Sequence, residues 1–103
     1  MIIYSVTIKI SKDAETEWLK WMKEVHIPDV MQTGYFIDWK MKKLLLPEDF
    51  NNECTFVVDY SAQSVDKYKL YYDKEAERLQ TEHKLKFGGK YTATRAIYSL
   101  ISK

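Results

Sequence analysis

Chemistry at neutral pH would fall first to the chain's two histidines, His26 and His83, because imidazole is the side chain whose unperturbed pKa lies nearest neutrality. Both stand in the same local setting. His26-Ile27-Pro28 is followed by Gly34-Tyr35-Phe36, and Glu82-His83 is followed by Phe87-Gly88-Gly89-Lys90-Tyr91. Each stretch reads as a helix end, a histidine, a glycine turn and an aromatic strand, so the chain looks like two similar halves. An imidazole placed there can be a general base or a hydrogen-bond donor to a ligand. It can equally be structural: a cation at a helix C-terminus is favoured by about 0.3–1 kcal/mol, and a core-edge histidine can be satisfied by a backbone carbonyl. The residues alone leave both readings open.

Arg95 is the third polar candidate. It shares a strand face with Tyr91, Ala93, Ile97 and Ile101, and a cation in apolar company needs a partner, for which Asp59, Asp38 or an anionic ligand would serve. Three Trp, eight Tyr and four Phe exceed what so small a core needs. Trp18, Trp39, Tyr4 and Tyr60 are candidate walls of an apolar pocket, although aromatic residues build dimer interfaces as readily. No metal site is expected, since the two histidines lie in different elements and no His-x-x-x-His or Cys-x-x-Cys spacing exists. No cofactor is expected either. Gly88-Gly89 follows a helix instead of preceding one, so it does not form a phosphate loop. Cys54, the lone cysteine, reads as a half-buried strand thiol.

With 103 residues the chain is a single domain, residues 1–103. Its 16 basic and 15 acidic side chains are scattered, which leaves no one-signed track for nucleic acid. No apolar run approaches the roughly 18 residues of a membrane span, and the N-terminus lacks a signal-peptide pattern, so a cytoplasmic protein is expected.

These side chains are positioned by a legible set of elements. Residues 2 to 10 alternate, with Ile2, Tyr4, Val6, Ile8 and Ile10 on one face, which predicts a strand. After a cap at Ser11 or Asp13, Ala14, Trp18, Trp21, Met22 and Val25 form a helical stripe that Pro28 should end or kink just after His26. Tyr35 to Leu46 predicts a second strand, Pro47 to Asn52 a turn, and residues 53 to 61 a third strand closing a hairpin. Ser64 caps a second helix with the stripe Val65, Tyr68, Tyr72, Ala76, Leu79 and His83; Gly88 and Gly89 stop it, and Lys90 to Ile101 predicts the fourth strand. The resulting β-α-β-β-α-β order is the α+β, ferredoxin-like arrangement: a four-stranded antiparallel sheet with two helices on one face. Apolar groups in both phases of most strands would leave the other face a broad hydrophobic patch, and a homodimer packed through that uncovered face would bury it.

The segments from Glu17 to Val30, Gly34-Tyr35-Phe36, Glu82-His83, Phe87 to Tyr91 and Arg95 resemble a small bacterial family of uncharacterised proteins, over essentially the whole chain. The His-x-Pro after an aromatic-rich first helix is also similar to members of the dimeric α+β barrel superfamily. That superfamily includes antibiotic-biosynthesis monooxygenases, ethyl-ether-degradation-type proteins and stress-responsive barrel proteins. The resemblance implies a ferredoxin-like protomer, a sheet-to-sheet dimer and a pocket between helices and sheet. Three functions follow as expectations. The cleft binds a small apolar or aromatic molecule, with His26, His83 and Arg95 as polar contacts; or it is catalytic, in the manner of cofactor-independent oxygenases or isomerases with a histidine base; or the protein is a structural or interaction dimer.

Overall fold

The computed structural model describes all residues, 1–103. Strand β1 (Ile2–Ser11) runs at the middle of the sheet, antiparallel to β3 (Glu53–Ala62) on one side and to β4 (Tyr91–Ser99) on the other. Strand β2 (Asp38–Lys43) closes the edge against β3, giving the order β2-β3-β1-β4. Alternation decides which face is buried: Ile2, Tyr4, Val6, Ile8 and Ile10 of β1 and Cys54, Phe56, Val58, Tyr60 and Ala62 of β3 all point to the core under the helices.

Each helix is long and interrupted once. After a 3-10 turn (Lys12–Ala14), helix α1 covers residues 15–32: an α segment Glu15–Trp21, a π-turn Met22–His26 and a second α segment Ile27–Gln32. Helix α2 covers residues 65–87 in the same way, with segments Val65–Tyr71, π-turn Tyr72–Ala76 and Glu77–Phe87. Ser64 caps α2, its Oγ accepting from the Lys67 backbone N–H at 3.3 Å, whereas Ser11 makes no such cap bond.

The π-turns explain two departures from the helical pattern. Pro28 does not end α1. The Ile27 N–H reaches back five residues to the Met22 carbonyl, and this wider turn accommodates a ring that has no N–H to donate and would clash with a carbonyl in an ordinary α turn. The buried stripe then steps by five, from Met22 to Ile27 in α1 and from Tyr71 to Ala76 in α2. A steady 3.6 period had pointed to Tyr72, which is instead 60% exposed, while Tyr71 is in the core.

Strand β2 is shorter than the aromatic run suggested. Tyr35 and Phe36 lie ahead of it, and Phe36 turns into the core to pack on Tyr4, Tyr60 and Tyr71 with ring centroids 5.9, 5.2 and 4.8 Å away. The turn before β3 is made by Asn51 and Asn52 at φ 61° and 55°, a region asparagine tolerates better than most residues.

The sheet face away from the helices is mixed. It carries Ile3, Ser5, Thr7 and Lys9 from β1, Val57, Asp59 and Ser61 from β3, Lys40 and Lys42 from β2, and Thr92, Thr94, Ala96 and Tyr98 from β4. The broad hydrophobic patch expected there is a Ser/Thr-rich surface with Ile3, Val57, Ala96 and Tyr98 set into it. No helix is long and apolar enough to cross a membrane.

Candidate functional site

The two histidines, from different halves of the chain, meet. Helix α1 places His26 at the end of its π-turn, helix α2 places His83 on its buried stripe, and the ring centroids are 5.3 Å apart. They line one cleft between helices and sheet, together with Tyr4, Val6, Ile8, Met22, Val30, Val58, Tyr60, Tyr71, Gln80 and Arg95. The cleft opens to solvent, and its enclosed part is much smaller than an ordinary small-molecule pocket. Its floor is narrow. The room left for the centre of a water-sized sphere is about 20 Å³, enough for one water and too little for a ring.

His83 is 3% exposed, and its Nε2 accepts a hydrogen bond of 3.0 Å from the indole N–H of the fully buried Trp18. An indole N–H can only donate, so the His83 proton sits on Nδ1. The Tyr91 ring stacks on the imidazole at 4.0 Å between centroids with planes 10° apart, and Trp21 stacks at 5.4 Å. His26 stacks on the other part of this cluster, 5.1 Å from Trp21, and its fully buried Nδ1 has no hydrogen-bond partner in the protein.

Burial sets the charge state of both rings. It pushes the His26 pKa down to about 4, with Asp29 opposing and Arg95 adding to the shift. His83 goes down to about 3, again through burial first, then the proximity of His26 and of Arg95. Both are neutral at pH 7. Burial likewise raises the phenols of Tyr4, Tyr60 and Tyr71, so they stay protonated, although Arg95 opposes the shift at Tyr4 and Tyr71.

Arg95 is therefore the one formal charge lining the cleft. It lies across from Val6 on the helix side of β4, the face its spacing indicated, and is exposed at the mouth, where its charge opposes the upward shift of the Tyr4 phenol. Neither aspartate expected to pair with it does so. Asp59 is opposite Ser5 on the other face of the sheet and pairs with Lys42 at 3.7 Å, while the Asp38 carboxylate accepts from the Trp39 backbone N–H. No carboxylate lies within 4 Å of the guanidinium.

Of the seven side chains singled out from sequence, Tyr4, Tyr60, His26, His83 and Arg95 converge on the cleft. Trp18 lies behind it as the partner of His83. Trp39 is at the sheet edge, 37% exposed and outside the lining, because β2 ends the sheet and no helix covers its outer flank. Gln80 and Tyr71 had gone unnoticed. Gln80 is three residues before His83 and so on the same helical face, a signal that was present; Tyr71 was hidden by the π-turn. No three His, Cys, Asp or Glu side chains converge anywhere in the fold.

Residues 1–101 match a family described as a domain of unknown function, DUF4286. The chain belongs to the DUF4286 family. No functionally curated protein matches it. Among solved structures, the fold of this DUF4286 protein is similar to that of a dimeric ferredoxin-like protein from an uncultured marine organism, at 14% identity, TM-score 0.74, covering 100% of this chain and 97% of that one. It is also similar to the haem-degrader MhuD from Mycobacterium tuberculosis, a structure with two haems in its active site, at 15% identity, TM-score 0.69, covering 100% and 98%. A third is SnoaB, a cofactor-independent oxygenase from Streptomyces nogalater, at 10% identity, TM-score 0.62, covering 99% and 95%. At these identities the likeness establishes the fold, a ferredoxin-like protomer of the kind seen in dimeric α+β barrels.

Proposed function

We propose that this DUF4286 protein is a binding protein for a small, flat, anionic aromatic molecule, taken up in the helix-sheet cleft. The observation that carries the reading is Arg95: a guanidinium with no carboxylate partner, at the mouth of a cleft whose deeper polar groups are neutral imidazoles and phenols. A cation in that position favours an anionic ligand, and the tyrosine walls favour a planar one. Because the floor is narrow, binding requires the exposed Arg95 and the flanking helix side chains to move outward, and the ligand supplies the energy for that widening.

The oxygenase reading, supported by the likeness to SnoaB, is the weaker. A general base works best with a pKa near the operating pH, and imidazoles held near 4 and 3 are feeble acceptors of a proton at neutrality. The lone pair of His83 is also engaged by Trp18. Haem does not fit the cleft in this conformation: the space is narrow, and the His83 Nε2 is not free to ligate iron. Self-association through the mixed sheet face is the second component of the proposal, supported by the dimeric ferredoxin-like neighbour.

Thermal-shift titration with benzoate, naphthoate and their neutral amides tests the binding reading, since a ligand that binds only the native state raises the melting temperature by mass action. Stabilisation by the acids, absent with the amides and lost in Arg95→Met, is the expected result. Equal stabilisation by acids and amides would remove the anionic preference and leave an apolar aromatic binder, whereas no shift with any compound would leave the structural or interaction dimer as the better account.

A further inference from the structure

We infer that the ligand carries a hydroxyl group in addition to its anionic group, and that this hydroxyl sits between His83 and His26; the inference rests on the binding function proposed above and narrows it to hydroxylated aromatic acids. Trp18 fixes the His83 tautomer. With the indole N–H directed at Nε2, His83 carries its hydrogen on Nδ1, for which the protein provides no acceptor. His26 presents a buried Nδ1 with no partner at all. Both rings line the same cleft.

The His26 tautomer follows from its surroundings. The His83 Nδ1 hydrogen and the Arg95 guanidinium can only donate into the cleft, and the Tyr4, Tyr60 and Tyr71 hydroxyls and the Gln80 amide can donate as well, so a lone pair at His26 Nδ1 has more potential partners there than a further N–H. A lone pair on His26 Nδ1 is therefore favoured, with its hydrogen on Nε2. The two imidazoles then offer one donor and one acceptor across a ring separation of 5.3 Å. That separation is between ring centres; an oxygen about 2.8 Å from each nitrogen spans roughly 5.6 Å, so a bridge by one atom requires the two Nδ1 atoms to lie no farther apart than that.

The bridging group must accept from His83 and donate to His26. A hydroxyl does both, whereas an ether, a ketone or an ionised carboxylate oxygen only accepts and would leave the buried His26 lone pair unpaired. The carboxylate is left for Arg95, which suits its forked donors. Gln80, three residues before His83 on the same helix, lines the cleft beside them and offers the ligand both a donor and an acceptor.

The test is an affinity series on the intact protein, using benzoate, its 2-, 3- and 4-hydroxy isomers and the corresponding methyl ethers. At least one hydroxy isomer should bind about tenfold more tightly than benzoate, the worth of one good hydrogen bond. Its methyl ether should lose that gain, and in His26→Phe the hydroxy isomer should bind no more tightly than benzoate. If benzoate binds in an Arg95-dependent way and no hydroxy isomer improves on it, the hydroxyl inference is overturned while the binding function stands. If none of the acids binds, both fall. Nitrogen-15 NMR of the wild-type imidazoles checks the premise without any variant: His26 protonated on Nδ1 in the free protein would overturn the inference.

Discussion

Trp18 and His83 are 65 residues apart in the chain and are joined by one buried hydrogen bond, 3.0 Å from the indole Nε1 to the imidazole Nε2. The bond ties α1 to α2 at the base of the cleft and leaves the histidine a single tautomer. Trp18→Phe removes the donor, and the stranded Nε2 should cost about 1–3 kcal/mol in addition to the lost packing. Urea denaturation checks this. In a double-mutant cycle with His83→Phe the coupling should be on the order of 1 kcal/mol, and a coupling near zero would mean the bond contributes nothing.

Acid should destabilise the fold through its histidines. Free imidazole has a pKa near 6.5, so below that pH the unfolded chain takes up protons that His26 and His83 refuse until about pH 4 and 3. The unfolded state binds more protons in this window. Stability is therefore fully present above about pH 6.5 and falls as the pH drops toward 4, with a slope of at most about 1.4 kcal/mol per pH unit for each histidine. Urea midpoints at pH 7.5, 5.5 and 4.5 should decline steadily in wild type and less steeply in His83→Phe.

The paired glycines after α2 should respond in an order opposite to the one their backbone angles suggest. Gly89 has φ +82°, a conformation an L side chain adopts at a cost of about 1–2 kcal/mol, yet a Cβ there would meet nothing within 4 Å. Gly88 has an ordinary φ of −54°, but a Cβ would stand 2.5 Å from the Lys84 carbonyl oxygen, the acceptor of its own N–H. Relief of that contact means moving the end of α2. Gly88→Ala should lower the urea midpoint more than Gly89→Ala, and Gly89→Asn should be the mildest of the three.

How much of this could be read from the sequence depended on whether local periodicity survived in the fold. The face of β1, the Ser64 cap, the turn at Asn51-Asn52 and the burial of His83 all follow from strict alternation, capping chemistry or a regular helical step, and all are found as the spacing indicated. Pro28 and Tyr71 were misleading for one shared reason. A π-turn inserts an extra residue into the stripe, and no property of Met22-Lys23-Glu24-Val25-His26 or Tyr72-Asp73-Lys74-Glu75-Ala76 announces it locally. The repeated motif marked His26 and His83 as equivalent positions in two halves, but their shared cleft depends on how two helices pack on one sheet. Pairing of Arg95 with Asp38 or Asp59 failed because register places the carboxylates on the opposite face.

Arg95 should be dispensable for folding. It is exposed, it has no ion pair, and the hydrogen bonds of β4 to β1 are backbone bonds that do not depend on it. Arg95→Met should shift stability by no more than about 0.5 kcal/mol. That places loss of folding and loss of anion binding on separate scales. A large destabilisation in urea would mean that the guanidinium is a structural strut and not a free charge awaiting a ligand.

Self-association should run through Val57 and its neighbours. Val57 is paired with Thr7 on one side and Lys42 on the other in the uncovered sheet face, with Ser5 and Asp59 nearby and Thr94 beyond Thr7, and is only partly exposed in the single chain. A face of small hydroxyl-bearing and apolar side chains can meet a second copy across a two-fold axis, because the same patch then faces itself and serine or threonine hydroxyls can donate and accept in turn. Val57→Lys would set two ammonium groups against each other near that axis. Light scattering of the wild type should give twice the 12.3 kDa chain mass at micromolar concentration. Val57→Lys should shift the mass toward the single chain while leaving the urea midpoint of the dilute protein little changed, since the lysine side chain can reach solvent in a monomer. A wild-type mass of one chain would remove the dimer from the account, and the cleft, built wholly from one chain's residues, would be unaffected.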